Sequence, residues 1–121
     1  MTQQVMPALV SADEAMALEL QPDNDPMAVV SGDPKASYRE LYRDDVAECG
    51  VWEVTPGEFT GDNTGYSEHM YILAGDATVT SEDGSSVHLL PGVTFVARDG
   101  WRGSWQVRET VRKAYVIWKT A

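Results

Sequence analysis

Short apolar segments separated by turns run through most of this chain and constrain its fold more than any other feature of the sequence. From Ala36 onward, segments rich in Val, Ile, Thr, Tyr and Trp recur at a spacing of roughly 8 to 12 residues, which is typical of β-sandwiches and barrels. The segments are "SYRELYR", "AECGVWEV", "HMYILAG", "DATVTSEDG", "SSVHLL", "VTFVA", "SWQVR" and "KAYVIWK". The sequence therefore predicts an all-β domain over residues 36–121.

Turn signals separate these segments. The Asp83–Gly84 pair in "SEDGSS" lies between two strand-like stretches and predicts a tight hairpin. Pro-Gly pairs in "TPGEF" and "LLPGV" predict two further turns between apolar stretches.

Residues 1–35 are predicted to form an N-terminal arm that contains one short helix. Ser11 is followed three residues later by Glu14, which is a capping-box arrangement, and helix-forming Ala, Met and Leu residues come next. Prolines and a glycine interrupt the stretch after the helix, with only a short strand expected around residues 27–30.

Composition narrows the class of protein. A chain of 121 residues fits one domain, and its formal charge of −10 repels a phosphate backbone, so neither a nucleic-acid partner nor an anionic membrane surface is expected. No apolar run approaches the roughly 18 residues of a membrane span, and the N-terminus lacks a signal-peptide pattern, so a cytoplasmic location is predicted. Cys49 is the single cysteine, which excludes internal disulfides and CxxC-type zinc or redox sites.

Four ordered motifs between Cys49 and Lys119 resemble a known family. They are "GVWEVTPGEF", "MYILAGDATVTSEDG", "LLPGVTFVARDGWRGSW" and "VRKAYVIW". They are similar to the small single-domain cupins related to the ethanolamine-utilisation cupin and to ureidoglycine aminohydrolase. The resemblance implies a cupin double-stranded β-helix, that is, a jelly-roll barrel of two antiparallel sheets, commonly a homodimer, with a pocket inside the barrel mouth.

The first metal-binding motif of cupins is incomplete here. In that motif two histidines of a His-x-His pair precede a glutamate, and a glycine follows the glutamate seven residues later. Glu68 and Gly75 keep this final spacing, but the histidine places fall on Asp62 and Thr64, or on the residues immediately before them. Neither alignment supplies an imidazole.

The second motif lacks its histidine as well. Gly92 and Gly100 fit the motif, whereas its proline, histidine and asparagine places hold Arg98, Gly103 and Val107. A divalent-metal site needs three or four inward lone-pair donors, and Glu68 alone does not supply them. No metal or other cofactor is therefore predicted. The alternative is a weak magnesium- or calcium-type site on Asp62, Glu68 and Thr64.

Glu68 is the best catalytic candidate, because a carboxylate inside the barrel without a metal requires a cation, hydroxyl or ligand as its partner. A structural carboxylate is the competing interpretation. The two histidines offer little help, since strand alternation points His69 away from the face of Glu68, and the orientation of His88 is open.

Aromatic and basic residues complete the predicted pocket. Trp105 shares a strand face with Gly103, where the missing histidine side chain is expected to leave space for a ligand. Lys113 and Tyr115 alternate onto one face of the last strand. In the family that the chain resembles, this Arg-Lys-x-Tyr segment recurs in the last strand, so the resemblance implies that Lys113 or Tyr115 meets Glu68 or a ligand carboxylate. The other tryptophans and tyrosines are expected to fill the core and a dimer interface.

Three functions remain open from the sequence. The first is a homodimeric cupin that binds a small polar metabolite in its barrel without a metal, with any catalysis resting on Glu68. The second is a metal-dependent enzyme resembling ureidoglycine aminohydrolase, with Asp62, Glu68 and a third ligand such as His88. The third is a non-catalytic structural or regulatory dimer.

Overall fold

The computed structural model describes residues 11–25 and 27–120, so the first ten residues of the predicted arm lie outside the described part. One helix, α1 (Ala12–Ala17), precedes nine strands. The strands are β1 (Gln21–Pro22), β2 (Ala28–Gly32), β3 (Ala36–Arg43), β4 (Ala47–Val54), β5 (Gly57–Asp62), β6 (Tyr66–Ser81), β7 (Ser86–Leu89), β8 (Thr94–Ala97) and β9 (Arg102–Lys119). Helix α1 is far shorter and more polar than a bilayer-crossing helix, and none in the described ranges meets that requirement.

The short helix begins as its sequence predicts. The Ser11 hydroxyl accepts a hydrogen bond from the backbone N–H of Glu14 at 3.1 Å, and the Glu14 side chain accepts one from the N–H of Ser11. This reciprocal capping satisfies donors that a helix N-terminus otherwise leaves unpaired. At the other end, the Arg112 guanidinium of β9 donates to the carbonyl oxygens of Ala15, Met16 and Leu18, so α1 is anchored to the sheet.

The strands form one antiparallel sheet that curls into the predicted jelly roll. Its main path runs β1-β3-β4-β9-β5-β2, and β6 joins it along the other edge of β9 while pairing in turn with β7 and β8. The long strands β6 and β9 are paired from Tyr66 with Lys119 to Ser81 with Gly103. The predicted arm therefore contributes β1 and β2 to the sheet.

Two strands are longer than the sequence pattern indicates. The segments "HMYILAG" and "DATVTSEDG" merge into β6, and "SWQVR" and "KAYVIWK" merge into β9. The register shifts near Gly75, whose φ is +109° and whose missing side chain would collide with the backbone of Thr110 and Val111. Glycine there lets β6 bend without ending, because only glycine adopts this conformation at little cost.

One strand was not predicted. The Pro-Gly pair of "TPGEF" was interpreted as a turn, but Gly57 begins β5, which pairs with β2 on one edge and β9 on the other. Phe59 is the one large apolar residue of β5, and its neighbours are Gly, Glu, Thr and Asp. A strand with so few β-forming side chains owes its structure to the strands on either side.

The hydrophobic core lies on the inner face of the curled sheet. Side chains of alternate residues in β6 and β9 point into it, and Ile72 and Val111 are completely buried. At one end the apolar packing gives way to charged and aromatic side chains, and this is where a cavity opens.

Candidate functional site

A cavity of about 730 Å³ opens at this end of the sheet. Its walls come from the inner faces of β3 to β6, β8 and β9, and residues 21–25 of the arm border it. The volume lies in the range of small-molecule sites in proteins, roughly 300 to 1,000 Å³.

A buried ion pair lies in the cavity wall. The Lys113 ammonium on β9 lies 2.7 Å from the Glu68 carboxylate on β6, and both side chains are about 90% buried. The register places both side chains on the inner face but not opposite each other, because Ile72 is the partner of Lys113 and Ile117 is the partner of Glu68. The long lysine side chain closes that gap by extending along the barrel, with its Nζ 3.8 Å from the Met70 sulfur. The expected contact between Glu68 and the last strand is therefore present, made by Lys113.

Aromatic rings surround the ammonium group. Trp52 on β4, Phe59 on β5 and Trp105 on β9 pack together, with Phe59 and Trp105 stacked at a centroid distance of 5.9 Å and Trp52 edge-on to both. The Lys113 Nζ lies 4.4 Å from the Trp52 ring centroid and 5.2 Å from that of Trp105. Ring faces attract cations, so the tryptophans and Glu68 together stabilise a buried positive charge.

Tyr115 lines the cavity on the same face of β9 as Lys113. Its hydroxyl donates a long hydrogen bond of 3.5 Å to Glu48, which also pairs with Arg43 at 3.3 Å. Burial, reinforced by the negative charge of Glu48, raises the pKa of Tyr115, so its phenol stays protonated at neutral pH. Tyr115 therefore offers a hydroxyl to the cavity.

Of the two residues at the first motif's histidine places, only Asp62 lines the cavity. Asp62 lies in the cavity wall, about half exposed, and pairs with Arg102 at 3.3 Å. Thr64 is exposed and outside the cavity lining, and its hydroxyl donates to Asp62. The Thr64 hydrogen bonds, followed by the charge of Arg102, lower the pKa of Asp62.

The space expected at Gly103 is not available to a ligand. Gly103 pairs with Gly61 across β9 and β5, and the Trp101 indole lies over both glycines. A methyl group added at Gly103 would lie 2.5 Å from the Trp101 ring and would also collide with the Thr80 carbonyl. The expectation of an opening at Gly103 is therefore wrong, because Trp101 fills the space and itself forms the cavity wall.

Sequence reasoning also missed the arm's contribution to the site. Asp23 and Asp25 lie beside the cavity because β1 pairs with β3 and carries the following residues over the mouth. The Trp52 indole N–H donates to Asp23 at 3.3 Å, which ties the arm to the aromatic wall. In the sequence, only the two aspartates of "QPDNDP" indicate an acidic contribution from the arm, and no local pattern shows that they reach the barrel.

Two loops hold Trp101 in place. Asn63 and the 98–101 turn exchange backbone hydrogen bonds, and the Trp101 indole donates to Ser81 at 3.0 Å. Asp99 secures the turn by accepting hydrogen bonds from the Gly65 N–H at 2.7 Å and from the Thr120 hydroxyl. These bonds, with the Thr120 hydroxyl as the larger cause, lower the pKa of Asp99.

An Asp99→Asn variant should therefore lose more stability at neutral pH than in acid. A carboxylate whose folded-state pKa is lowered stabilises the fold above its ordinary value of 3.8, and that contribution disappears as the pH falls through the folded-state pKa. Urea unfolding of the variant and the parent chain at pH 7 and at about pH 3 measures the difference. The exposed Asp45→Asn is the control. An Asp99→Asn deficit that stays constant with pH would contradict the role of this carboxylate.

The residues present do not fit the divalent metal of typical cupins. The described ranges contain no group of three or more His, Cys, Asp or Glu side chains placed to hold a metal ion. The Glu68 carboxylate binds the Lys113 ammonium instead. His69 lies outside the cavity lining, as strand alternation predicts. His88, the proposed third ligand, also lies outside it and pairs with Asp76 at 2.7 Å.

Comparisons with known proteins agree with this fold. The profile of the EutQ-like cupin domain matches residues 41–115. The structure is similar to a Pseudomonas syringae protein of unknown function from the DUF861 family, with a TM-score of 0.74 and 28% identity over 83% of this chain. That match covers 44% of the Pseudomonas chain, so the present chain spans less than half of its length.

Two further structures are similar. The EutQ protein of Clostridium difficile has a TM-score of 0.71 and 16% identity, covering 88% of this chain and 84% of its own. A Thermotoga maritima DUF861 protein has 37% identity and a TM-score of 0.51, covering 54% of this chain and 73% of its own. No curated protein matches the chain. Because the profile match spans more than half of the residues, the chain belongs to the EutQ-like cupin family.

Proposed function

We propose that this cupin binds a small polar molecule in the cavity, without a metal, through the Glu68–Lys113 pair and the aromatic wall. The observation that carries the proposal is a cavity of about 730 Å³ with a buried ion pair in its lining. Side chains do not fill the cavity, and its walls combine apolar rings with a small number of polar groups. Small-molecule sites have this composition.

The ion pair itself favours a binding role. Burying two charges costs free energy that their attraction does not always recover, and apolar residues of similar volume often stabilise a fold equally well. A pair placed in a cavity wall has an alternative use, because each partner offers hydrogen-bonding capacity to a bound molecule. Lys113 has three donors, and Glu68 Oε2 is the one carboxylate or carbonyl oxygen to which they are directed within the described residues.

Any catalysis in this cavity would rest on Glu68, the lining carboxylate that is also buried. A carboxylate next to an ammonium can exchange a proton with a bound molecule. The neighbouring Tyr115 phenol stays protonated, which makes it a hydrogen-bond donor rather than a base. We assign no reaction to the site.

A ligand screen by thermal shift tests the proposal. A bound molecule at free concentration L stabilises the folded state by RT ln(1 + L/Kd), about 2.7 kcal/mol at 100 times its Kd, and so raises the unfolding temperature. Molecules that stabilise the parent chain should bind less tightly to Trp101→Phe, which reshapes the cavity wall. They should bind unchanged to Tyr42→Phe, an exposed residue of β3 outside the cavity lining and the proposed dimer face. A broad metabolite library with no stabilising member, or ligands that are equally insensitive to both variants, would refute the proposal.

The metal content of the purified chain tests the metal-dependent alternative. Because Glu68 is paired with Lys113 and three ligands do not converge within the described residues, we expect less than about a tenth of a metal ion per chain after purification without chelators. Metal analysis by inductively coupled plasma mass spectrometry measures the content. A stoichiometric divalent ion that is lost in Glu68→Gln would restore the enzyme hypothesis.

We also propose that the chain forms a homodimer through the outer face of β6, β8 and β9. Tyr71, Val96, Val116 and Trp118 surround His69 on this face and are each at least 39% exposed. None of these four side chains is charged. In a chain of net charge −10, this face is where a second copy meets little repulsion.

Light scattering coupled to size-exclusion chromatography measures the oligomeric state. The parent chain should have the mass of a dimer, and Val116→Lys should have the mass of a monomer because a lysine would be buried at the interface. Val87→Lys, at an exposed position of β7, should leave the dimer intact. A parent chain that is monomeric at micromolar concentration would contradict the proposal. A dimer without any detectable ligand would favour the structural or regulatory alternative.

A further inference from the structure

We propose that the cavity selects small organic cations, such as amines, amidines and guanidines, over carboxylates and phosphates. This inference rests on the proposed binding function and specifies the chemical class of its ligand. Three features carry it: the charges of the lining, the aromatic walls and an unpaired carboxylate oxygen.

The charged side chains of the lining have a net negative charge. Five carboxylates and two cationic side chains border the cavity: Asp23, Asp25, Glu48, Asp62 and Glu68, against Arg43 and Lys113. Arg102, just outside the lining, pairs with Asp62 at 3.3 Å, which leaves a formal excess of two negative charges. Both cations are already paired, Lys113 with Glu68 at 2.7 Å and Arg43 with Glu48 at 3.3 Å. An anionic ligand would find only the remaining donors of these two paired groups, and it would meet the repulsion of the surrounding carboxylates.

The acidic residues of the arm keep their charge available. Asp23 accepts hydrogen bonds from the Trp52 indole and the Asp25 backbone N–H, which are neutral donors. Asp25 has no ion pair with any residue in the described ranges, and it is exposed at the mouth. The field of these two aspartates therefore attracts cations toward the cavity.

The aromatic walls suit a positive charge. The Lys113 ammonium already lies over the Trp52 and Trp105 rings, so this wall stabilises one organic cation within the protein itself. Other rings of the lining are not in that contact: Tyr38, Tyr66, Phe95 and Trp101. The Tyr66 hydroxyl already donates to the Asp62 carbonyl, and Trp101 covers Gly61 and Gly103. The sides of these rings that line the cavity are therefore what a second cation or its apolar part would contact.

An acceptor for such a ligand lies in the same wall. Glu68 is 91% buried, and Lys113 takes its Oε2 oxygen. No described residue donates a hydrogen bond to the other oxygen, Oε1. Every fully enclosed polar side-chain atom of the described part has a partner, so Oε1, which has none there, is open to solvent. A ligand N–H group satisfies this oxygen, whereas a ligand carboxylate does not.

Three probes of the same shape test the inference: benzylamine, benzyl alcohol and benzoate. Binding to the full chain is measured by ligand-observed NMR and tryptophan fluorescence. Benzylamine should bind about tenfold more tightly than benzyl alcohol, and benzoate should bind most weakly, with the amine's affinity falling as salt is raised. Benzoate or the alcohol binding as tightly as the amine would overturn the inference while the proposed binding function stands. Absence of binding by all three would also overturn it, and the broader ligand screen then decides the binding function separately.

Charge variants locate the effect. Asp23→Asn with Asp25→Asn should weaken benzylamine binding by about fivefold and leave benzyl alcohol unchanged, because the substitutions remove two charges and keep the oxygen that accepts from Trp52. Glu19→Gln with Glu109→Gln removes the same charge from exposed sites outside the cavity and should leave all three affinities unchanged. An equal loss in both double variants would show that the net charge of the chain, not the cavity, selects the cation, and would refute the inference.

Discussion

Lys113→Met should lower the free energy of unfolding by about 3 to 5 kcal/mol, the range found when one partner of a buried ion pair is removed. The variant keeps much of the lysine's apolar volume, but it leaves the Glu68 carboxylate buried without a cation. It also removes the positive charge from the Trp52 and Trp105 faces. Urea unfolding at pH 7 measures the loss.

The double variant Glu68→Gln with Lys113→Met should recover most of that stability. Removing both charges removes the uncompensated group, and exchanging a buried pair for neutral residues is often close to neutral. Lys35→Met is the matched control, because its ion pair with Asp33 is exposed and such pairs contribute little. A Lys113→Met loss no larger than that of Lys35→Met would show that water, not Lys113, compensates the Glu68 charge.

Gly103→Ala should cost about 1 to 3 kcal/mol, the usual cost of adding a methyl group to closely packed structure. The added methyl collides with the Thr80 carbonyl of β6 and lies 2.5 Å from the Trp101 ring, so either the strands separate or the indole moves out of the cavity wall. Urea unfolding reports the stability. The NMR resonance of the Trp101 indole N–H, which donates to Ser81, reports the displacement.

Gly61→Ala is the control for this prediction. Its added methyl would meet the Trp101 ring at 3.1 Å and no backbone atom within 4 Å, so a small shift of the indole accommodates it. We expect a smaller loss of stability than for Gly103→Ala. Equal and negligible losses in both variants would contradict the close packing of Trp101 on the paired glycines.

The largest errors of prediction concern sites that depend on distant segments. The missing histidine at Gly103 was taken as open space, but Trp101 comes from the preceding turn, and its position depends on the backbone hydrogen bonds to Asn63. The motif alignment put both Asp62 and Thr64 at ligand places, whereas Thr64 belongs to the 63–65 loop and lies outside the cavity, hydrogen-bonded to Asp62. Spacing along a strand predicts which face a side chain occupies, but not what the next loop places over it.

The all-β fold, the capped helix and the inward face shared by Lys113 and Tyr115 are determined by the sequence itself. These features depend on local periodicity and on hydrogen bonds between residues three positions apart, which are visible in the order of the residues. The choice of Lys113 rather than Tyr115 as the partner of Glu68, the placement of Trp52 over the ammonium and the position of the acidic arm at the mouth were decided only by the tertiary structure. They join residues 29 to 61 positions apart, and the curl and register of the sheet bring those residues together.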